Sequence, residues 1–186
     1  MNCAQKKFVA YVKKLRPRSI TELRPEYHPR YIAEGAYRQT FDVRRGTRSL
    51  DIVIKFPFDG TGDPSLSARQ VARAIAIATQ HSRDEHEAIT RILTVDKFIP
   101  LRRYMPKVLH FDADTGVVVM PKYKRIKWSK EFSVFARTLK HMVEDLIPEL
   151  LYEFDYGFAN TGVRDDDTYV LLDAGLLGCV RKPRCR

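Results

Sequence analysis

The stretch Leu50-Asp51-Ile52-Val53-Ile54-Lys55-Phe56 limits the fold more than any other. Its β-branched residues favour an extended chain, and extended side chains alternate between two faces. Leu50, Ile52 and Ile54 therefore line one face, while Asp51, Val53 and Lys55 line the other. Lys55 shares a face with Val53, which leaves two readings. Either something anionic meets it, or it snorkels to water from an edge strand.

The neighbouring segments supply partners for that strand. Tyr31-Ile32-Ala33 and Gln39-Thr40-Phe41-Asp42-Val43 read as two strands joined by Glu34-Gly35-Ala36-Tyr37-Arg38, and Arg45-Gly46 turns the chain into the third. Lys107 to Phe111 and Val117 to Met120 read as two more, with Asp112 to Gly116 as their hairpin turn. The sum is α+β: a five-stranded, mainly antiparallel sheet with a helix laid on it.

Helical periodicity appears in four places. Residues 3 to 15 put Phe8, Val9, Tyr11 and Val12 on one side and lysines on the other, and Arg16-Pro17-Arg18 ends the segment. Pro25 and Pro29 then mark a loop. Ser65 to Thr79 and Ser82 to Leu93 are predicted as separate helices, with Ser82 as N-cap of the second. On that second helix Glu85, Ile89 and Ile92 share a face, whereas Glu87 lies beside Arg91. Glu85 is thus the acid better placed to face the sheet. Residues 130 to 152 form the last helical stretch, with Pro148 kinking it or starting a separate piece. The loop from Phe58 to Pro64 has two glycines but no Lys-Ser/Thr after them, so it is not a P-loop.

A length of 186 residues predicts one domain, and 44% hydrophobic residues fits a globular protein without a membrane span. Three cysteines (Cys3, Cys179 and Cys185) stand at the chain ends without CxxC spacing, which indicates free thiols in a reducing compartment. A net charge of +10 points to an acidic partner, such as nucleic acid, a phosphorylated ligand or an acidic protein, or serves solubility alone. The basic N-terminal helix (residues 1–18) and the basic tail (179–186) leave nucleic acid or an acidic protein open as partners.

Polar groups set among apolar ones mark the C-terminal part. Glu153-Phe154-Asp155-Tyr156-Gly157-Phe158-Ala159-Asn160 is followed by Tyr169-Val170-Leu171-Leu172-Asp173-Ala174-Gly175, with Arg164 to Thr168 as the turn and Leu171 and Leu172 inside. A hairpin between Asn160 and Asp173 would bring a carboxamide beside a carboxylate, a good seat for a hydrated divalent cation carrying phosphates.

In this order the elements resemble the protein-kinase-like superfamily over about residues 30 to 178. Ile32 to Thr40 looks like the glycine-rich loop and Val53-Ile54-Lys55 like the end of its lysine strand. Val119 to Tyr123 resembles the strand running into the adenine-binding hinge, Asp155 to Asn160 the catalytic loop, and Asp173-Ala174-Gly175 the metal-binding Asp-Phe-Gly. Ala33 and Arg38 replace the first and third loop glycines, and Glu153-Phe154 replaces His-Arg before the catalytic aspartate. The chain stops soon after Gly175, without the Ala-Pro-Glu motif or the large helical lobe. The resemblance is to minimal kinases of the phage-encoded or small bacterial type.

The resemblance implies an N-lobe over about 30–122 and a strongly reduced helical C-lobe over about 123–178, within one minimal domain at 19–178. It implies ATP and Mg²⁺, and a protein substrate phosphorylated on Ser or Thr in the cytoplasm (the host's, if phage-encoded). Lys55, fixed by Glu85, would hold the α- and β-phosphates, and Gly35 and Ala36 would let the loop backbone approach them. Asn160 and Asp173 would hold Mg²⁺, and Asp155 would take the proton of the attacking hydroxyl. Met120 would back the adenine, whose edge the Pro121 carbonyl and Tyr123 amide would read. The alternatives are a pseudokinase that binds nucleotide without transfer, and a basic binding module.

Overall fold

The computed structural model describes residues 1–35, 37–58, 65–126, 128–146 and 160–172. Among these, helix α1 (Cys3–Leu15) opens the chain, and the hairpin strands β1 (Arg30–Glu34), β2 (Arg38–Arg45) and β3 (Arg48–Pro57) follow. Helix α2 (Ala68–Thr94), the short α3 (Ile99–Arg102) and strands β4 (His110–Phe111), β5 (Val118–Pro121) and β6 (Lys124–Arg125) come next. Helix α4 (Lys130–Leu146) and the hairpin β7 (Thr161–Val163) and β8 (Tyr169–Leu171) complete the described elements. The fold is α+β. Its larger sheet has five antiparallel strands in the order β1-β2-β3-β5-β4, and β6-β7-β8 form a second, three-stranded sheet. No helix among the described residues is long and apolar enough to cross a membrane.

The residues divide into two compact units, Met1–Arg83 with Lys107–Lys122, and Asp84–Pro106 with the described residues from Tyr123 onward. In the first unit the alternation of β3 sets the layers. Ile52 and Ile54 face a core shared with Phe41, Val43, Leu50, Phe56, Val117 and Val119, which α1 closes with Phe8 and Val12. Helix α1 begins in a capping box, where Asn2 and Gln5 satisfy each other's free backbone N–H. It ends where Arg16 turns left-handed at φ 54°.

Four sequence expectations are corrected here. First, the helices expected at 65–79 and 82–93 are one helix, α2. No Pro or Gly interrupts it, and buried Ser82 donates its hydroxyl to the Ala78 carbonyl at 3.2 Å instead of capping a new start. Second, β3 is a central strand, paired on both sides by β2 and β5, so the edge-strand reading of Lys55 fails. Third, the strand expected from Lys107 to Phe111 is confined to His110–Phe111, and β6 forms from Lys124-Arg125, a dipeptide too short and too charged to show strand periodicity. Fourth, Leu172 is half-buried, unlike the fully buried Leu171. Residues 147–152 of the last expected helix lie outside the described residues.

A buried carboxylate fixes the end of α1. The Arg16 guanidinium donates to Asp112 at 2.8 and 3.2 Å and also pairs with Asp114. The backbone N–H groups of Asp114 and Thr115 add bonds of 2.9 and 3.1 Å to Asp112. Arg16 first, and these amides with it, hold the Asp112 carboxyl well below the usual carboxylate range against the opposing effect of burial. Because the folded-state pKa is depressed, this stabilisation is complete above the unfolded value of about 4 and fades as pH falls through the folded one. Asp112→Asn should therefore lower the melting temperature at pH 7 by about 5 °C. Thermal scans should show that difference narrowing below about pH 4. A gap that stays constant into strong acid would contradict the assignment.

Candidate functional site

The face of the larger sheet that turns away from α1 carries two of the sequence-predicted site residues, Lys55 and Met120. Cross-strand partners share a face, so the pairs Val53–Met120 and Lys55–Val118 place those four residues together. Val53, Val118 and Met120 form a small apolar cluster flanked by Ile32, Val108 and Phe111. Lys55 stands beside it at 7% exposure, opposite Thr40 of β2, which in turn pairs with Ala33 of β1. An ammonium group this deep in a sheet centre needs anionic or polar company, and Lys55 does engage a partner.

The same alternation brings up a second cation. Arg38 pairs with Pro57, two residues along from the Thr40–Lys55 pair, and so projects from the same face as Lys55. It is 8% exposed. Read in one dimension, Arg38 is only the residue that stands where a third loop glycine is expected. The parity of 38, 40 and 55 across the hairpin was the signal that could have found it.

Gly35 lies in the turn between β1 and β2, its N–H donating to the Arg38 carbonyl at 2.9 Å. Among the described residues nothing requires glycine there. A Cβ added to it would meet only that carbonyl, at 4.0 Å. Beyond it, Tyr37 stacks on His81 with ring centroids 3.9 Å apart, and the Tyr37 carbonyl accepts from the Phe58 N–H at 2.8 Å. Ala36 lies outside the described residues.

Past Met120, β5 ends at Pro121 and the chain is clamped. The Lys122 amide donates to the Asp51 carbonyl at 2.9 Å, and its ammonium pairs with buried Asp42 at 2.9 Å. Asp42 also accepts from the Ser49 hydroxyl at 2.8 Å. The two Lys122 contacts are not legible in the sequence, because each joins Lys122 to a residue far earlier in the chain.

In the second unit, Glu85 is buried on α2 at 3% exposure, on the face that also buries Ile89 and Ile92, whereas Glu87 is exposed. Glu85 too has a partner. Tyr123 packs against the β7 backbone so closely that a Cβ on Gly162 would lie 2.7 Å from its own Cβ. The hairpin carrying Asn160 is firmly held. The Asn160 carbonyl accepts from the Leu172 N–H at 2.7 Å, which sets Asn160 opposite the residue preceding Asp173. The Arg164 guanidinium donates to the carbonyls of Arg103 and Met105, both at 2.7 Å, and the Leu171 N–H to that of Tyr104 at 2.9 Å. Tyr169 stacks on Phe135 of α4 at 4.5 Å.

No family model matches this chain, and no curated protein matches it.

Asp155 and Asp173 lie outside the described residues. Among those described, no group of three or more His, Cys, Asp or Glu side chains is placed to hold a metal ion. What the structure brings together is therefore one set in the first unit (Lys55, Arg38, Met120 and the Gly35 turn) and, in the second, the Asn160 end of the hairpin. An apolar cluster beside buried cations can take a flat aromatic ring together with an attached anion.

Proposed function

We propose that this chain is an ATP- and Mg²⁺-dependent phosphotransferase with a protein-kinase-like fold, acting on Ser or Thr hydroxyls of a protein. The observation that carries the reading is Lys55, buried in the central strand beside the apolar patch of Val53, Val118 and Met120. A purine suits the patch, and its phosphates suit Lys55, with Arg38 as a second cation on the same face. The open space at Gly35 suits close approach of backbone amides to those phosphates.

In this reading Glu85 positions Lys55, the Pro121 carbonyl and the Tyr123 amide read the adenine edge, and Asp155 accepts the hydroxyl proton. Asn160 and Asp173 are the residues that would hold Mg²⁺, whose chemistry there is to neutralise charge on the phosphates. Phosphoryl transfer depends chiefly on such positioning and charge neutralisation.

Gly35 gives a test that leaves the fold alone. The full chain should bind a fluorescent ATP analogue in the presence of Mg²⁺, and Gly35→Val should weaken that binding by about tenfold, since a branched side chain keeps the backbone from the phosphates. Its melting temperature should not change, because a Cβ there has room. Absence of nucleotide binding by the unmodified chain, or equal binding by the variant, would overturn the reading.

A further inference from the structure

The charge of this protein is concentrated in one part of the chain. Residues 1–48 hold twelve Lys and Arg against four Asp and Glu, so most of the net +10 lies there. The structure shows that this segment is a built surface rather than a loose arm. Helix α1 has no acidic residue, and Lys6, Lys7, Lys13 and Lys14 are all exposed on it. Its apolar side is spent on the core through Phe8 and Val12.

The turn between β2 and β3 extends the basic surface. Arg45 and Arg48 are exposed and paired across it, around Gly46. The helix and the turn are tied to each other. Gln5 of α1 donates to the Leu50 carbonyl at 2.9 Å, and Phe8 packs edge-on against Tyr27, which bridges to Arg45.

We infer that this surface binds the phosphate backbone of nucleic acid without reading sequence. Lysines in rows one heptad apart, with an arginine turn, give several independent phosphate contacts. Two other acidic partners fit less well. A membrane-surface helix needs a free apolar side to insert, and that of α1 is buried in the core. A protein partner needs apolar or aromatic anchors at the centre of its interface, and the exposed residues of α1 are its four lysines, the small Cys3 and Ala10, and a single large apolar residue, Leu15, at the helix end. The surface lies on the α1 side of the sheet, whereas Lys55 and Met120 lie on the other, so it is independent of the proposed nucleotide site.

The test is fluorescence anisotropy with the full chain and a labelled 20-base-pair DNA duplex. Binding should weaken about 100-fold between 50 and 200 mM salt, the slope for roughly four neutralised phosphates. The variant Lys6→Glu/Lys7→Glu/Lys13→Glu/Lys14→Glu should lose binding at least as strongly, and Arg45→Gln/Arg48→Gln should lose part of it. Lys130→Glu/Arg137→Glu, exposed basic positions on α4, should change it less than about threefold. Circular dichroism of each variant should match that of the unmodified chain, since all these side chains are exposed. Equal binding by the fourfold variant would overturn the inference. So would equally tight, equally α1-dependent binding of poly-glutamate or of anionic phospholipid vesicles.

Discussion

Asp155→Asn is expected to slow phosphoryl transfer by about 10³-fold while changing ATP affinity less than about threefold. In the proposed reading the two effects separate because the carboxylate would serve the incoming hydroxyl, whereas Lys55, Arg38 and the apolar patch would serve the nucleotide. An amide of the same shape cannot accept the proton, so the rate falls and binding stays. Asp173→Ala should behave differently. Removing the carboxylate that would hold Mg²⁺ costs transfer and also weakens Mg²⁺-dependent nucleotide binding. Both variants can be read with γ-labelled ATP and a panel of protein, peptide and sugar acceptors, the panel also identifying the class of acceptor. Labelling that persists in Asp173→Ala would remove the kinase reading, even if the chain binds ATP.

The largest expected effect on stability is at Gly116. This residue ends the β4–β5 turn at φ +70°, where a Cβ is strained in any surroundings. An added Cβ would also lie 2.9 Å from Cγ of Pro57 and 3.0 Å from Cα of Thr79 on α2. Neither neighbour yields easily, since one is a ring and the other is backbone. Gly116→Ala should therefore cost about 2–4 kcal/mol, strain and overpacking together. For a chain of this length that is a loss of roughly 5–15 °C in melting temperature. Gly46 isolates the two contributions. It has a similar φ of +59° but open space around it, so Gly46→Ala should cost only about 1 kcal/mol. Equal losses in calorimetry would show that the approach of α2 at Gly116 carries no energy.

Much of the architecture was legible because it repeats along the chain. Strict alternation gave β3 its two faces, and the 3.6-residue spacing of Phe8, Val12 and their neighbours gave α1 its buried side. Glycine and aspartate clusters gave the turns at 45–46, 112–116 and 164–168. The division of α2 into two helices failed for a local reason. A serine followed by acids looks like a helix start, yet inside a helix the hydroxyl can bond back to the carbonyl four residues earlier, as Ser82 does. Strand β6 was missed because two charged residues carry no period, and it exists only because β7 offers it a ladder. Of the candidate site, Glu85 is expected on the inward side of its helix and is buried there, whereas for Lys55 the strand pattern leaves both an anionic partner and an exposed edge open. Arg38 was read only as a missing glycine, because pairing across a hairpin is not visible from one strand.

Lys55 shows where the division falls. Alternation of side chains along an extended chain is enough to turn this lysine away from the face of Leu50, Ile52 and Ile54. Whether it met water or the interior rested on strand order, which arises from pairings between residues up to about seventy positions apart. Pairing in the folded sheet makes β3 central, between β2 and β5. The fold sets Val53, Val118 and Met120 beside the lysine and Arg38 on the same face, and it gives the opposite side of the sheet to a basic helix. Periodicity is a property of a segment, whereas burial belongs to the neighbours that close over it.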